Sequence, residues 1–100
     1  MEEKIEDALK AAKGKITTGV TPDDMPKVTQ AVLNLMQAKA LYLSLPKPTD
    51  EMDEEIGIVL GRVRPNLSAV DMMKSTQAAL NIIYAKAKTA EIGPKKTKTA

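Results

Sequence analysis

The chain has 100 residues, 43% of them apolar, and a net charge of +2 from 15 bases and 13 acids. It contains no cysteine and no histidine, which excludes disulfides, thiol nucleophiles, the usual zinc sites and an imidazole base near neutral pH. Tyr42 and Tyr84 are its only aromatic residues, so the core must come from slender aliphatic side chains whose modest burial favours a partner.

This length suits one small domain. No apolar run approaches the ~20 residues of a membrane span. The start, Met1-Glu2-Glu3-Lys4, has neither the basic opening nor the apolar stretch of a secretory signal. The expected location is a cytoplasm, with the protein free or assembled there into a larger particle. Charge is distributed unevenly: 0 over residues 1–20, +1 over 21–47, −3 over 48–67 and +4 over 68–100.

The first predicted helix covers about Glu2 to Lys13, with Ile5, Ala8, Leu9, Ala12 and Ile16 on one face. Its early acids complement the helix dipole, and Gly14 is expected to stop it in a left-handed turn. The second helix is expected from Pro22 to about Leu45, with Thr21 as N-cap and Asp24 three residues on. Pro46-Lys47-Pro48 ends it and offers a hinge. The third helix runs from Thr49 or Asp50 to about Leu60, with Gly57 permitting a close crossing and Gly61 as its stop. Ser68 caps the fourth helix, which is expected to end near Ala90, ahead of Gly93-Pro94 and the basic residues Lys95, Lys96 and Lys98.

An internal repeat organises this series. Eleven of the seventeen residues from Asp24 to Ala40 recur identically from Asp71 to Ala87, at an offset of 47. The same offset matches Gly14 with Gly61, Lys15 with Arg62, Ile16 with Val63, Val20 with Leu67 and Thr21 with Ser68. The expected fold is therefore all-α: two tandem hairpins, short helix then long helix, related by a pseudo-two-fold. Residues 1–93 would form one domain of two repeats, about 2–46 and 49–93, with 94–100 as a basic tail.

Helical projection places Met25, Thr29, Val32, Met36 and Leu43 together as the expected core face of the second helix, flanked by Val28, Leu35, Leu33 and Ala40. The fourth helix offers Met72, Thr76, Ala79, Leu80, Ile82 and Ile83. Opposite the first of these faces lie Lys27, Gln30 and Asn34, repeated as Lys74, Gln77 and Asn81. Ala31 and Ala38, repeated as Ala78 and Ala85, border that stripe. A surface displayed twice suits a repeated or symmetric partner, and these ten residues are the candidate interaction site. A crowded helix crossing, where Gln and Asn satisfy backbone groups, is the plainer explanation of the same pattern.

Catalytic chemistry finds no foothold. The connectors lack calcium-loop spacing, the acid pairs Glu3/Glu6 and Glu51/Glu54 have no facing acids for a metal, and no nucleophile–base pair or phosphate loop occurs. No enzyme activity, metal or cofactor is expected. The leading expectation is a structural or adaptor subunit that binds itself and other protein subunits, as in a virus particle or similar machine. The alternatives are a small regulator that binds nucleic acid through Lys95, Lys96 and Lys98, and a protein inhibitor. Nucleic acid is not favoured, because the basic end is short and lacks aromatic side chains for stacking.

Overall fold

A computed structural model of the chain describes the backbone of residues 1–45 and 51–99, and the side chains of residues 1–45 and 53–88. The proposed hinge Pro46-Lys47-Pro48 lies outside the described residues, as do the side chains of Met52, Lys95, Lys96 and Lys98. Among the described residues the fold is all-helical, with α1 (Glu2–Gly14), α2 (Met25–Leu43), α3 (Glu51–Leu60) and α4 (Ala69–Thr99) and no strand. The helices form a bundle in which α2 lies along α4, α1 packs on α2, α3 packs on α4, and α1 touches α3 more lightly.

The helix boundaries repeat in their hydrogen bonds. Thr21 Oγ1 accepts the Asp24 N–H at 3.2 Å, as Ser68 Oγ accepts the Asp71 N–H at 3.2 Å. The Thr21 and Ser68 carbonyls accept the Met25 and Met72 N–H groups at 2.9 and 2.8 Å. Thr21 thus caps a single turn over residues 22–24, after which α2 begins later than expected. Pro26 explains the delay, because it brings no N–H to the carbonyl four residues before it. The short helices also end alike, the N–H groups of Lys15 and Ile16 bonding three residues back, as do those of Arg62 and Val63. No described glycine has positive φ, so Gly14 closes α1 without the expected left-handed turn. At the other end of the chain, α4 continues through Gly93-Pro94 to Thr99, beyond its expected end near Ala90. A proline inside a helix removes one backbone bond and bends it, which need not end it.

The core of α1 and α4 follows expectation except at Ile16, which is 42% exposed, and that of α2 departs from it. Ile5, Ala8, Leu9 and Ala12 of α1 are buried, as are Ile56 and Leu60 of α3 and Val63 after it. In α4 the buried seam is Met72, Thr76, Ala79, Ile83 and Lys86, at spacings of four and three, with Leu80 beside it. In α2 the buried seam is Val28, Ala31, Leu35, Ala38 and Tyr42, again at heptad spacing. The expected core face of α2 is turned outward: Met36 and Leu43 are 52% and 53% exposed, Thr29 is exposed, and Met25 and Val32 are half-buried. Asn34, between the two buried alanines of this seam, bonds to Thr76 of α4, so it is this side of α2 that faces in.

The direction of packing follows from three contacts. Asn34 of α2 bonds to Thr76 of α4. Eight residues further along α2, Tyr42 bonds to Asp53, which pairs with Lys86, ten residues further along α4. The two long helices therefore run parallel.

Candidate functional site

The structure divides the predicted stripe between the inside and the outside of the bundle. On α4 it lies where expected, with Lys74, Gln77, Asn81 and Ala85 exposed and Ala78 half-buried. On α2 the expectation is corrected: Ala31, Asn34 and Ala38 are buried at 0%, 1% and 0% exposure against α4, with Lys27 half-buried and Gln30 exposed at the edge. Asn34 tolerates burial because both ends of its amide are used. Gln30 Nε2 donates to Asn34 Oδ1 at 2.9 Å, and Asn34 Nδ2 donates to Thr76 Oγ1 at 3.2 Å. Thr76 in turn donates to the Met73 carbonyl at 3.0 Å, completing a satisfied chain across the helix pair. In the second copy of the motif, Gln77 Nε2 donates to Asn81 Oδ1 at 3.0 Å, on the surface.

Two shallow grooves flank these elements. One, of about 320 Å³, is lined by Gln30 of α2 and by Met73, Lys74, Gln77, Ala78 and Asn81 of α4. It gathers five of the ten predicted site residues. The second, of about 420 Å³, lies between α1 and α2, where Leu9, Met36, Ala40 and Leu43 form an apolar floor and Glu6, Lys13 and Lys39 a charged rim. Both are open troughs with polar edges and apolar centres, shapes that suit a helix better than an enclosed small molecule.

A buried polar cluster, absent from the predicted site, ties three helices together. Asp53 Oδ2 accepts the Tyr42 hydroxyl at 2.9 Å, and Asp53 Oδ1 lies 3.0 Å from Lys86 Nζ, whose side chain is 3% exposed. The first hairpin has the same connection at the same register, since Glu6 and Lys39 precede Asp53 and Lys86 by 47 residues. There Lys39 Nζ donates to Glu6 Oε2 at 2.7 Å, in solvent, with side chains 33% and 46% exposed. The hydrogen bond from Lys39 holds the Glu6 carboxyl below its usual range, and the same bond raises Lys39. The recurrence of an acid and a lysine at the 47-residue offset was the available sequence signal for this pair.

Among the described residues no three His, Cys, Asp or Glu side chains gather as metal ligands, and no helix is long and apolar enough to cross a membrane. What the two grooves present chemically is apolar centres with amide or charged edges. No family model, no curated protein and no solved structure matches the chain.

Proposed function

We propose that this chain is a non-catalytic structural or adaptor subunit that associates with itself and takes its place in a larger assembly, working in a cytoplasm. The observation that carries this reading is the outer face of α2, where Leu33, Met36 and Leu43 stand 47%, 52% and 53% exposed along one helix. Apolar surface of that kind, rimmed by charge, marks sites of protein contact. A core without Phe or Trp gains proportionately from covering it. The amide-edged groove between α2 and α4 is a second open surface on the same molecule.

The test is the mass of the protein in solution, measured over a range of concentrations at low and moderate salt, with and without nucleic acid. An oligomer indifferent to DNA or RNA is expected. A strict monomer whose mass changes only when nucleic acid is added would replace this reading with that of a regulator acting through its basic end.

A further inference from the structure

The uncovered apolar groups of the first hairpin have covered counterparts in the second. Ile16, Leu33 and Met36 are 42%, 47% and 52% exposed, whereas Val63, Leu80 and Ile83, at the matching positions, are 5%, 4% and 0% exposed. Polar groups follow the same rule. Thr76 and the Asp53–Lys86 pair are buried, whereas Thr29 and the Glu6–Lys39 pair are not. What covers the second hairpin is the first: the inner seam of α2, with Asn34 bonded to Thr76 of α4 and Tyr42 over Asp53, and α1, whose Lys4, Asp7 and Ala8 lie beside Val63. The matching seam of α4, with Ala78, Asn81, Ile82 and Ala85, is exposed or half-buried. The molecule thus contains one pair of faces in contact and the same pair, in nearly the same residues, left open.

We infer that copies of this chain stack head to tail, the open seam of α4 in one copy packing on the outer face of α2 in the next, as α2 packs on α4 within the chain. The inference rests on the self-association reading and supplies its geometry. Two further observations support it. The Asn34–Thr76 bond is one-sided. A two-fold would pair Thr29 with Asn81 as well, yet both are exposed, Thr29 donating to the Met25 and Pro26 carbonyls and Asn81 accepting from Gln77. With α2 and α4 parallel, the hairpins are successive units of a stack, as in solenoid proteins, where each unit contacts only its neighbours.

Charge supplies the second support. Within the chain, Asp7 and Ala8 of α1 lie across from Gly57 and Leu60 of α3. One repeat further on, the same contact sets Glu54 and Glu55 of one copy against Lys10 and Lys13 of the next, and all four are exposed. Opposite charges meet at the junction. A heterologous contact of this kind closes into a ring or continues as a filament.

Two surface variants test the arrangement, each blocking one face: Leu33→Glu with Met36→Glu on α2, and Asn81→Glu with Ala85→Glu on α4. Circular dichroism checks that both keep wild-type helix content, and sedimentation reads their mass. The wild type is expected to form concentration-dependent oligomers and each variant alone to lose every species above monomer. An equal mixture of the two variants should restore a dimer and nothing larger. A wild type that stays monomeric at every concentration overturns both this inference and the self-association reading. A wild type that associates, beside a variant that associates equally well or a mixture that stays monomeric, overturns the head-to-tail geometry alone. The natural absence of cysteine supplies a second measurement should a blocked variant lose helix. Thr29→Cys and Asn81→Cys proteins, mixed and treated with a short bismaleimide, should crosslink one to the other. Crosslinks only within each variant, or none while the protein is oligomeric, would overturn the geometry.

Discussion

Lys39 and Lys86 occupy the same position in the repeat, and each meets an acid from the short helix of its own hairpin. One pair stands in solvent; the other lies beneath α2 with a tyrosine hydroxyl on its carboxylate. The difference lies in the neighbours, since the second hairpin has the first packed over it and the first has an open face. Near-identical sequence therefore yields two environments, and what each residue contributes depends on what packs over its hairpin.

The sharpest way to break this comparison is to remove the lysines one at a time. Lys86→Ala removes the cation that lies 3.0 Å from Asp53 under α2, and losing one partner of a buried pair costs about 3–5 kcal/mol. For a domain of this size that is a large share of total stability. Lys39→Ala removes an exposed partner, and its melting temperature is expected to stay close to wild type. Thermal unfolding of both variants, at a concentration where the protein is monomeric, checks the prediction. Equal losses would mean that burial does not distinguish the two pairs.

The asparagines repeat the comparison on a smaller scale. Asn34→Ala leaves the Gln30 amide without its acceptor and removes a donor to the buried Thr76, for a cost of about 1–3 kcal/mol. Asn81→Ala breaks only a surface bond to Gln77 and should change stability by no more than about 0.5 kcal/mol. Urea unfolding midpoints at constant slope separate the two outcomes.

Much of this was legible in the sequence, for reasons that are local. Thr21 and Ser68 mark helix starts because their hydroxyls bond the backbone three residues on, and Gly14 and Gly61 fall where both short helices end. The inward face of α4 was also readable, because its other side carries Lys74, Gln77 and Asn81 and leaves one choice. α2 offers two heptad seams, one rich in Met, Val and Leu and one built on Ala31, Leu35 and Ala38. Hydrophobicity favours the first, whereas close approach of two backbones favours the second. Which wins depends on a partner helix 42 residues away in sequence, where Thr76 receives the Asn34 amide. Burial of Lys86 was illegible for a related reason, since it depends on Tyr42 reaching Asp53 from another helix.

Gly57 separates the short helices at a finer level. It is buried in α3 where α1 carries the exposed Lys10. A Cβ there would meet Lys4 Nζ at 3.0 Å, Lys4 Cδ at 3.7 Å and Met1 Cε at 3.8 Å. These are ends of flexible side chains, and a lysine amine moves aside at little cost. Gly57→Ala therefore keeps most of the helix-propensity gain and should stabilise the monomer by about 0.5–1 kcal/mol. A loss on denaturant unfolding would mean that α1 and α3 cross too closely there for any side chain.

The exposed Glu6–Lys39 pair gives the smallest effect, and its sign is set by titration. The hydrogen bond from Lys39 lowers the Glu6 pKa from its ordinary 4.5, so Glu6 stabilises the fold fully above that value. That contribution is lost as pH falls through the lowered folded-state value, because protonation removes the negative charge facing Lys39. The same bond raises Lys39 from its ordinary 10.5, so its contribution is complete below that pH and is lost as pH rises through the raised value. Between those limits the monomeric wild type should melt slightly above Glu6→Gln, the two curves converging in acid. Molar salt, with a Debye length of about 3 Å, should shrink the neutral-pH difference as well. Salt should leave the deficit of Lys86→Ala largely intact, since the Asp53–Lys86 pair lies under α2 where counter-ions do not reach. A Glu6 effect that ignored both acid and salt would show that the first hairpin's pair is shielded in the monomer, and the contrast between the two lysines would then need another cause.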